Sequence, residues 1–155
     1  MTQIFREEDA ELLTFSPTTS GRLLADGDTT GGSISAGRLS LGAGVEGGKP
    51  HYHARSTEIF YVVDGELEIM LDDQLERVGK GGLVVVPPLM PHAFGAAAGS
   101  HADLLVAITP GVQRFDYLRH LARVAAGDIP AGYVAPDPSR YDVWPVERPL
   151  WGTTR

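Results

Sequence analysis

Four residues of this chain have the types and spacing to do chemistry together: His51, His53, Glu58 and His92. His51 and His53 stand at i and i+2, so on an extended segment both imidazoles face the same side. Glu58 lies five residues past His53, which on an unbroken strand would point it the opposite way. A turn through Ala54-Arg55-Ser56-Thr57 can restore the facing and bring the carboxylate to the same centre. His92 follows the run Val84-Val85-Val86-Pro87-Pro88 and belongs to a different strand. Three imidazoles and one carboxylate suit one divalent transition metal ion with coordination positions left open. Such a donor set accepts Fe, Mn, Ni, Co, Cu or Zn. The ion would retain positive charge and polarise a bound enol, phenol or carbonyl oxygen.

The elements that must position these residues are short strands, because 19 glycines and 11 prolines cut the chain into pieces joined by tight turns. Ser33 to Leu41 reads as a strand, and residues 42–50 as a glycine-rich connection into the histidine strand. Glu58 to Val63 is apolar on both faces. Asp64-Gly65 is the best hairpin signal, suited to the positive φ values of a type I′ turn, with Glu66 to Leu71 returning. Short strands follow at Leu75 to Val78, Leu83 to Val86, His92 to Phe94 and His101 to Thr109, a rhythm that predicts an all-β barrel or sandwich. The period changes after Pro110-Gly111. Phe115, Leu118, Leu121, Ala122 and Ala125 recur at helical spacing, with Gly127 as the C-cap. The tail is proline-rich and irregular, and its aromatics Tyr133, Tyr141, Trp144 and Trp151 predict docking onto the barrel or onto a dimer partner.

The histidine segments resemble the cupin family. Its first motif, His-x-His, Glu, then Gly, is met by His51, His53, Glu58 and Gly65; its second is met by Gly81, Pro87 and His92. Three backbone-shaping positions depart from the pattern: Val45 stands for Gly (with Gly44 one place off), Leu89 for Gly, and Ala96 for Asn. The resemblance implies a jelly-roll double-stranded β-helix with a C-terminal helix and an irregular tail. Residues 1–155 would then form one cupin domain: N-terminal strands or arm over about 1–30, barrel about 31–110, helix about 111–126, tail 127–155. It also implies that His51, His53, Glu58 and His92 are the metal ligands. The run Glu58-Ile59-Phe60-Tyr61-Val62-Val63-Asp64-Gly65-Glu66-Leu67, and Thr109 to Phe115 before a helix, are similar to small single-domain, quercetinase-like cupins.

That grouping implies, first, a metal-dependent dioxygenase acting on a small enolisable or phenolic compound, flavonol- or polyketide-like. Glu58 is then either a plain ligand or also the base that takes the substrate hydroxyl proton. A redox-neutral cyclase or isomerase is the second reading, and a non-catalytic metal-containing binding protein the third. Phe60, Met70, Met90 and Phe94 are expected to line the substrate pocket. Arg55 and His101 read as surface residues, His120 as a solvated position on the helix, and Tyr52 as facing away from the metal.

Composition bounds the rest. With 155 residues the chain is about one domain. A net charge of −7 argues against nucleic acid, which needs a concentrated basic surface. No apolar run approaches the roughly 18 residues that would span a bilayer, and the N-terminus lacks an apolar signal core. The absence of cysteine excludes disulfides and fits a reducing compartment, so a cytoplasmic location is expected. The expected partners are a small-molecule substrate, O2 for the first reading, and a second copy of the chain in a homodimer.

Overall fold

Strand after strand in this chain turns alternate side chains inward, as the short alternating segments predict. The computed structural model describes residues 1–130 and 137–153. A 3-10 turn at Glu7–Asp9 leads into β1 (Glu11–Ser16) and β2 (Thr19–Ala25), which extend the sheet from β3 (Ser35–Leu41). Then come β4 (Glu46–Tyr52), β5 (Thr57–Leu71), β6 (Gln74–Gly79), β7 (Leu83–Val86), β8 (His92–Ala96) and β9 (Ala102–Thr109). The C-terminal part carries α1 (Phe115–Ala125), α2 (Pro138–Tyr141), β10 (Trp144–Pro145) and α3 (Pro149–Thr153). Hydrogen bonds join the strands in the order β1-β2-β3-β9-β5-β8-β4-β10, with β6 and β7 attached to β5. Strands distant in sequence therefore lie side by side, and the antiparallel sheet curls into a jelly-roll barrel.

The hairpin expected at Asp64-Gly65 is not formed. β5 runs straight through it for 15 residues, pairing with β9 and β7 in its first half and with β8 and β6 in its second. Gly65 does take a positive φ of 76°, but the consequence is a bend, with the register against β9 slipping between Val62 and Asp64. The polar groups that a hairpin would pair with each other go elsewhere: Glu66 N donates to His101 O (2.9 Å), and Glu66 O accepts from Ala97 N (3.0 Å). The backbone entering β9 passes so close that a Cβ on Gly65 would lie 2.0 Å from that His101 oxygen. A second departure is in β4, which starts at Glu46, inside the expected glycine-rich connection. Gly47 and Gly48 serve there as floor for the Phe94 ring, since a Cβ on either would lie 2.5 Å from it.

Phe60, Val62, Leu67, Ile69, Val86, Phe94 and Leu104 fill the barrel. Outside it, α1 ends as expected, though it begins at Phe115 rather than near residue 111. Gly127 (φ 81°) donates to Val124 O and Asp128 N to Arg123 O, the paired bonds of a Schellman cap. Arg119 on α1 ties the helix to β1 through Glu11 (2.6 Å). The C-terminal segment docks through its aromatics: Tyr141 and Trp151 are buried, and Trp144 stacks on Tyr52 with ring centroids 6.3 Å apart. Tyr133 lies outside the described residues. Among those described, no helix is long and apolar enough to cross a membrane.

Candidate metal centre

Three strands and one turn assemble the centre. His51 on β4 is the direct cross-strand partner of His92 on β8. His53 follows just past the end of β4, and Glu58 is the second residue of β5, paired with Val86 and Ile108. The turn between His53 and Glu58 does restore the facing: the ligand atoms of His51, His53, Glu58 and His92 all lie within 4.8 Å of one another. Imidazole rings stand with centroids 4.3 to 5.3 Å apart. His53, Glu58 and His92 are at most 3% exposed, whereas His51, at 9%, marks the side nearest solvent.

The outer nitrogen of every ring is held by a carbonyl. His51 Nδ1 donates to Lys49 O (2.6 Å), His53 Nδ1 to Asp142 O (2.5 Å) and His92 Nδ1 to Met90 O (2.9 Å). A carbonyl can only accept, so each neutral ring carries its proton on Nδ1 and turns the Nε2 lone pair inward. The three lone pairs meet Glu58 Oε2, at 2.8 Å from His53, 2.6 Å from His92 and 3.8 Å from His51. Four electron-rich atoms this close need a positive charge among them, supplied by protons or by a cation. Donors about 2.1 Å from one ion lie at most about 4.2 Å apart, so a shift of tenths of an ångström makes this set a coordination shell. The residues fit a divalent metal.

Burial alone would raise the Glu58 carboxyl, but the imidazoles of His53, His51 and His92 outweigh it and hold the group well below the usual carboxylate range. The His51 ring is lowered by burial, against the pull of Glu58. Burial also opposes the charge on His92, yet its bond to Glu58 raises that ring above the ordinary imidazole value.

Beside the centre, the Phe60 ring lies 6.3 Å from the His92 ring and 4.7 Å from Phe94, while Met90 packs half-buried against the same core. Met70 does not join them. It alternates with Leu67 and Ile69, so it faces outward, buried with Ala93 beneath Trp151. Tyr52 faces away, onto Trp144. Arg55 is exposed and donates to Ser139 O (2.8 Å); His101 is exposed beside Asp64 (2.9 Å); His120 lies on α1. At the three departures from motif, Gly44 beside Val45 has a φ of 69°, Leu89 has the same φ, and Ala96 is a fully buried strand residue. Leu89 N donates to His53 O (2.7 Å), so that left-handed turn helps to hold the ligand loop. Sequence reasoning did not find Asp142, whose buried carboxylate accepts from the amides of Ala54 (2.8 Å), Arg55 (3.0 Å) and Ser56 (3.1 Å). No short spacing announces it, because it comes from the far end of the chain.

Residues 37–108 match the family model described as the cupin domain. Over those residues the barrel is a cupin domain. Among solved cupin structures, KdgF from a Halomonas species superposes with a TM-score of 0.62 at 22% identity, over 76% of this chain and 99% of that one. An RmlC-like cupin from Shewanella frigidimarina gives 0.60 at 22% identity, over 75% and 96%. The polyketide cyclase RemF from Streptomyces resistomycificus gives 0.57 at 19%, over 81% and 98%. At these identities the cupin likeness is one of fold. No functionally curated protein matches the chain.

Proposed function

We propose that this cupin is a metal-dependent enzyme acting on a small enolisable or phenolic compound, and that its first activity is that of a dioxygenase. The observation that carries the reading is the tautomer lock: three rings pinned at Nδ1, with three Nε2 lone pairs converging on one carboxylate. A divalent ion bound there would supply Lewis-acid polarisation of the substrate oxygen. The protein supplies the remainder. Phe60, Phe94 and Met90 offer an apolar, aromatic wall that favours a flat substrate over a phosphorylated sugar. Glu58, the carboxylate at the centre of the site, is the proton acceptor for the substrate hydroxyl. Loss of that proton makes the ring or enediol electron-rich enough to react with O2, the co-substrate.

A redox-neutral cyclase or isomerase is the second reading, supported by the likeness of the barrel to a polyketide cyclase. In it Glu58 returns the proton that it removed. Metal analysis of protein purified without added metal, followed by an oxygen-electrode screen of phenolic and polyketide-like compounds, separates the readings. Oxygen uptake with ring-opened product supports the dioxygenase, and product without uptake supports the cyclase. Tight ligand binding without product in either assay would overturn both in favour of a binding protein. We also propose that the protein works as a homodimer in the cytoplasm.

A further inference from the structure

We propose that Asp142 is a positioning residue for this centre: from the C-terminal segment, beyond the matched cupin domain, it fixes the loop that aims His53 and Glu58 at a shared cation. The proposal rests on the metal-dependent reading above. Two separate parts of the residue act. The side chain, 1% exposed, gathers three consecutive amides, Ala54 N on Oδ1 and Arg55 N and Ser56 N on Oδ2. Those are the residues of the turn that lets Glu58 face the same way as His53. The backbone carbonyl of the same residue takes the Nδ1 proton of His53 (2.5 Å) and so sets which nitrogen of that ring faces inward.

A residue that only docked the tail would need neither arrangement. Asp142 stands in the left-handed region (φ 53°, ψ 41°), which Asp tolerates better than most residues, and its surroundings fix it there. They do so from both sides. Upstream, Tyr141 is buried and its carbonyl accepts from the Arg114 guanidinium (3.5 Å). Downstream, Trp144 and Pro145 pair with Tyr52 and His51 on β4, and the Trp144 indole N–H reaches Asp142 Oδ1 (3.4 Å). The segment thus clamps the edge of the strand that carries His51 and the loop that carries His53 and Glu58. Three aligned amides around one carboxylate leave that loop a single arrangement.

The test uses Co2+ as the probe ion and the full-length protein. Asp142→Asn keeps the shape but turns an amide N–H toward donors that need an acceptor. We expect Co2+ affinity, measured by chelator competition, to fall about 10- to 100-fold. The visible Co2+ absorption should change, and in the metal-free protein the nitrogen-15 signals of His53 should lose their fixed tautomer. Leu23→Ala is the control, since Leu23 is buried on β2, which among the described residues pairs only with β1 and β3. It should lower Tm with Co2+ affinity and spectrum unchanged. If Asp142→Asn behaves like that control, the positioning role is refuted while the metal centre stands. Should Asp142→Asn fail to fold, Trp144→Ala loosens the same clamp without orphaning the three amides; wild-type affinity and spectrum there would equally refute the role. Wild-type protein that takes up no Co2+ overturns the metal-dependent reading and the positioning role together.

Discussion

Burial strips Glu58 of most of its water, and the carboxylate stays ionised only because three imidazoles face it. Each of those rings therefore matters to the others. His51→Ala or His92→Ala should abolish most metal uptake, read by elemental analysis, while leaving the barrel folded, since the fold is carried by the apolar cluster around Phe60, Leu67 and Leu104. Metal content equal to that of the parent protein in either variant would remove the assigned centre. Leu89 is the other residue whose local physics is out of the ordinary. It holds a glycine-like φ of 69°, is 65% exposed, and yet uses its amide to bind His53 O. A side chain in that region costs about 1–2 kcal/mol, part of which a glycine returns as entropy of the unfolded chain. Leu89→Gly should therefore stabilise the protein by about 1 kcal/mol in urea unfolding. A destabilised Gly variant would show that the exposed Leu side chain makes contacts worth more than the strain.

Among the elements, β5 explains both what was legible in the sequence and what was not. The cluster of His51, His53, Glu58 and His92 was legible because side-chain alternation and motif spacing are short-range properties. The bend at Gly65 was not, because a positive φ serves a hairpin and a strand bend alike, and the choice falls to a distant partner. Here that partner is the His101 carbonyl, which receives the Glu66 amide. The same logic hid the burial of Met70 on the outer face, supplied by the docking of Trp151, and the role of Asp142, which no neighbour in sequence announces. The helix end at Gly127 was readable because a Schellman cap is local. A pair of substitutions separates backbone conformation from close approach. Gly99→Ala meets nothing within 4 Å and pays only for its φ of 79°, about 1 kcal/mol. Gly65→Ala must also push β5 away from β9, so we expect on the order of 3 kcal/mol or more in denaturant unfolding. Equal losses in the two variants would mean that β9 yields at no cost.

At the scale of the whole molecule, an apolar strip lies along the outer face where β7 pairs with β5. Tyr61 opposite Leu83 and Ile59 opposite Val85 form it, with Tyr61, Leu83 and Val85 all exposed. Among the described residues β7 has no strand partner beyond β5, so both its backbone edge and this face suit a second copy. Light scattering should give twice the chain mass, and Val85→Glu should return it to the monomer value; a wild-type monomer would end the homodimer proposal. The pH response also belongs to the whole molecule, because it sums groups that pull in opposite directions. The lowered His51 ring stays neutral in the fold, so stability is lost as pH falls below the unfolded imidazole value of about 6.5. The raised His92 ring acts oppositely, stabilising below that value and losing its contribution as pH rises through its folded pKa. Glu58 and Asp142, both lowered, contribute above about pH 4 and are lost as pH falls through their folded values. For the metal-free protein the two histidines pull in opposite directions, while the two carboxylates act together, so the steepest drop in Tm should come under acid conditions. A bound ion changes this, because it competes with protons for the same three Nε2 atoms. The gap in Tm between metal-loaded and metal-free protein should therefore be widest near pH 7.5 and close toward pH 5. A gap that persists undiminished at pH 5 would mean that the stabilising ion sits on groups other than these imidazoles.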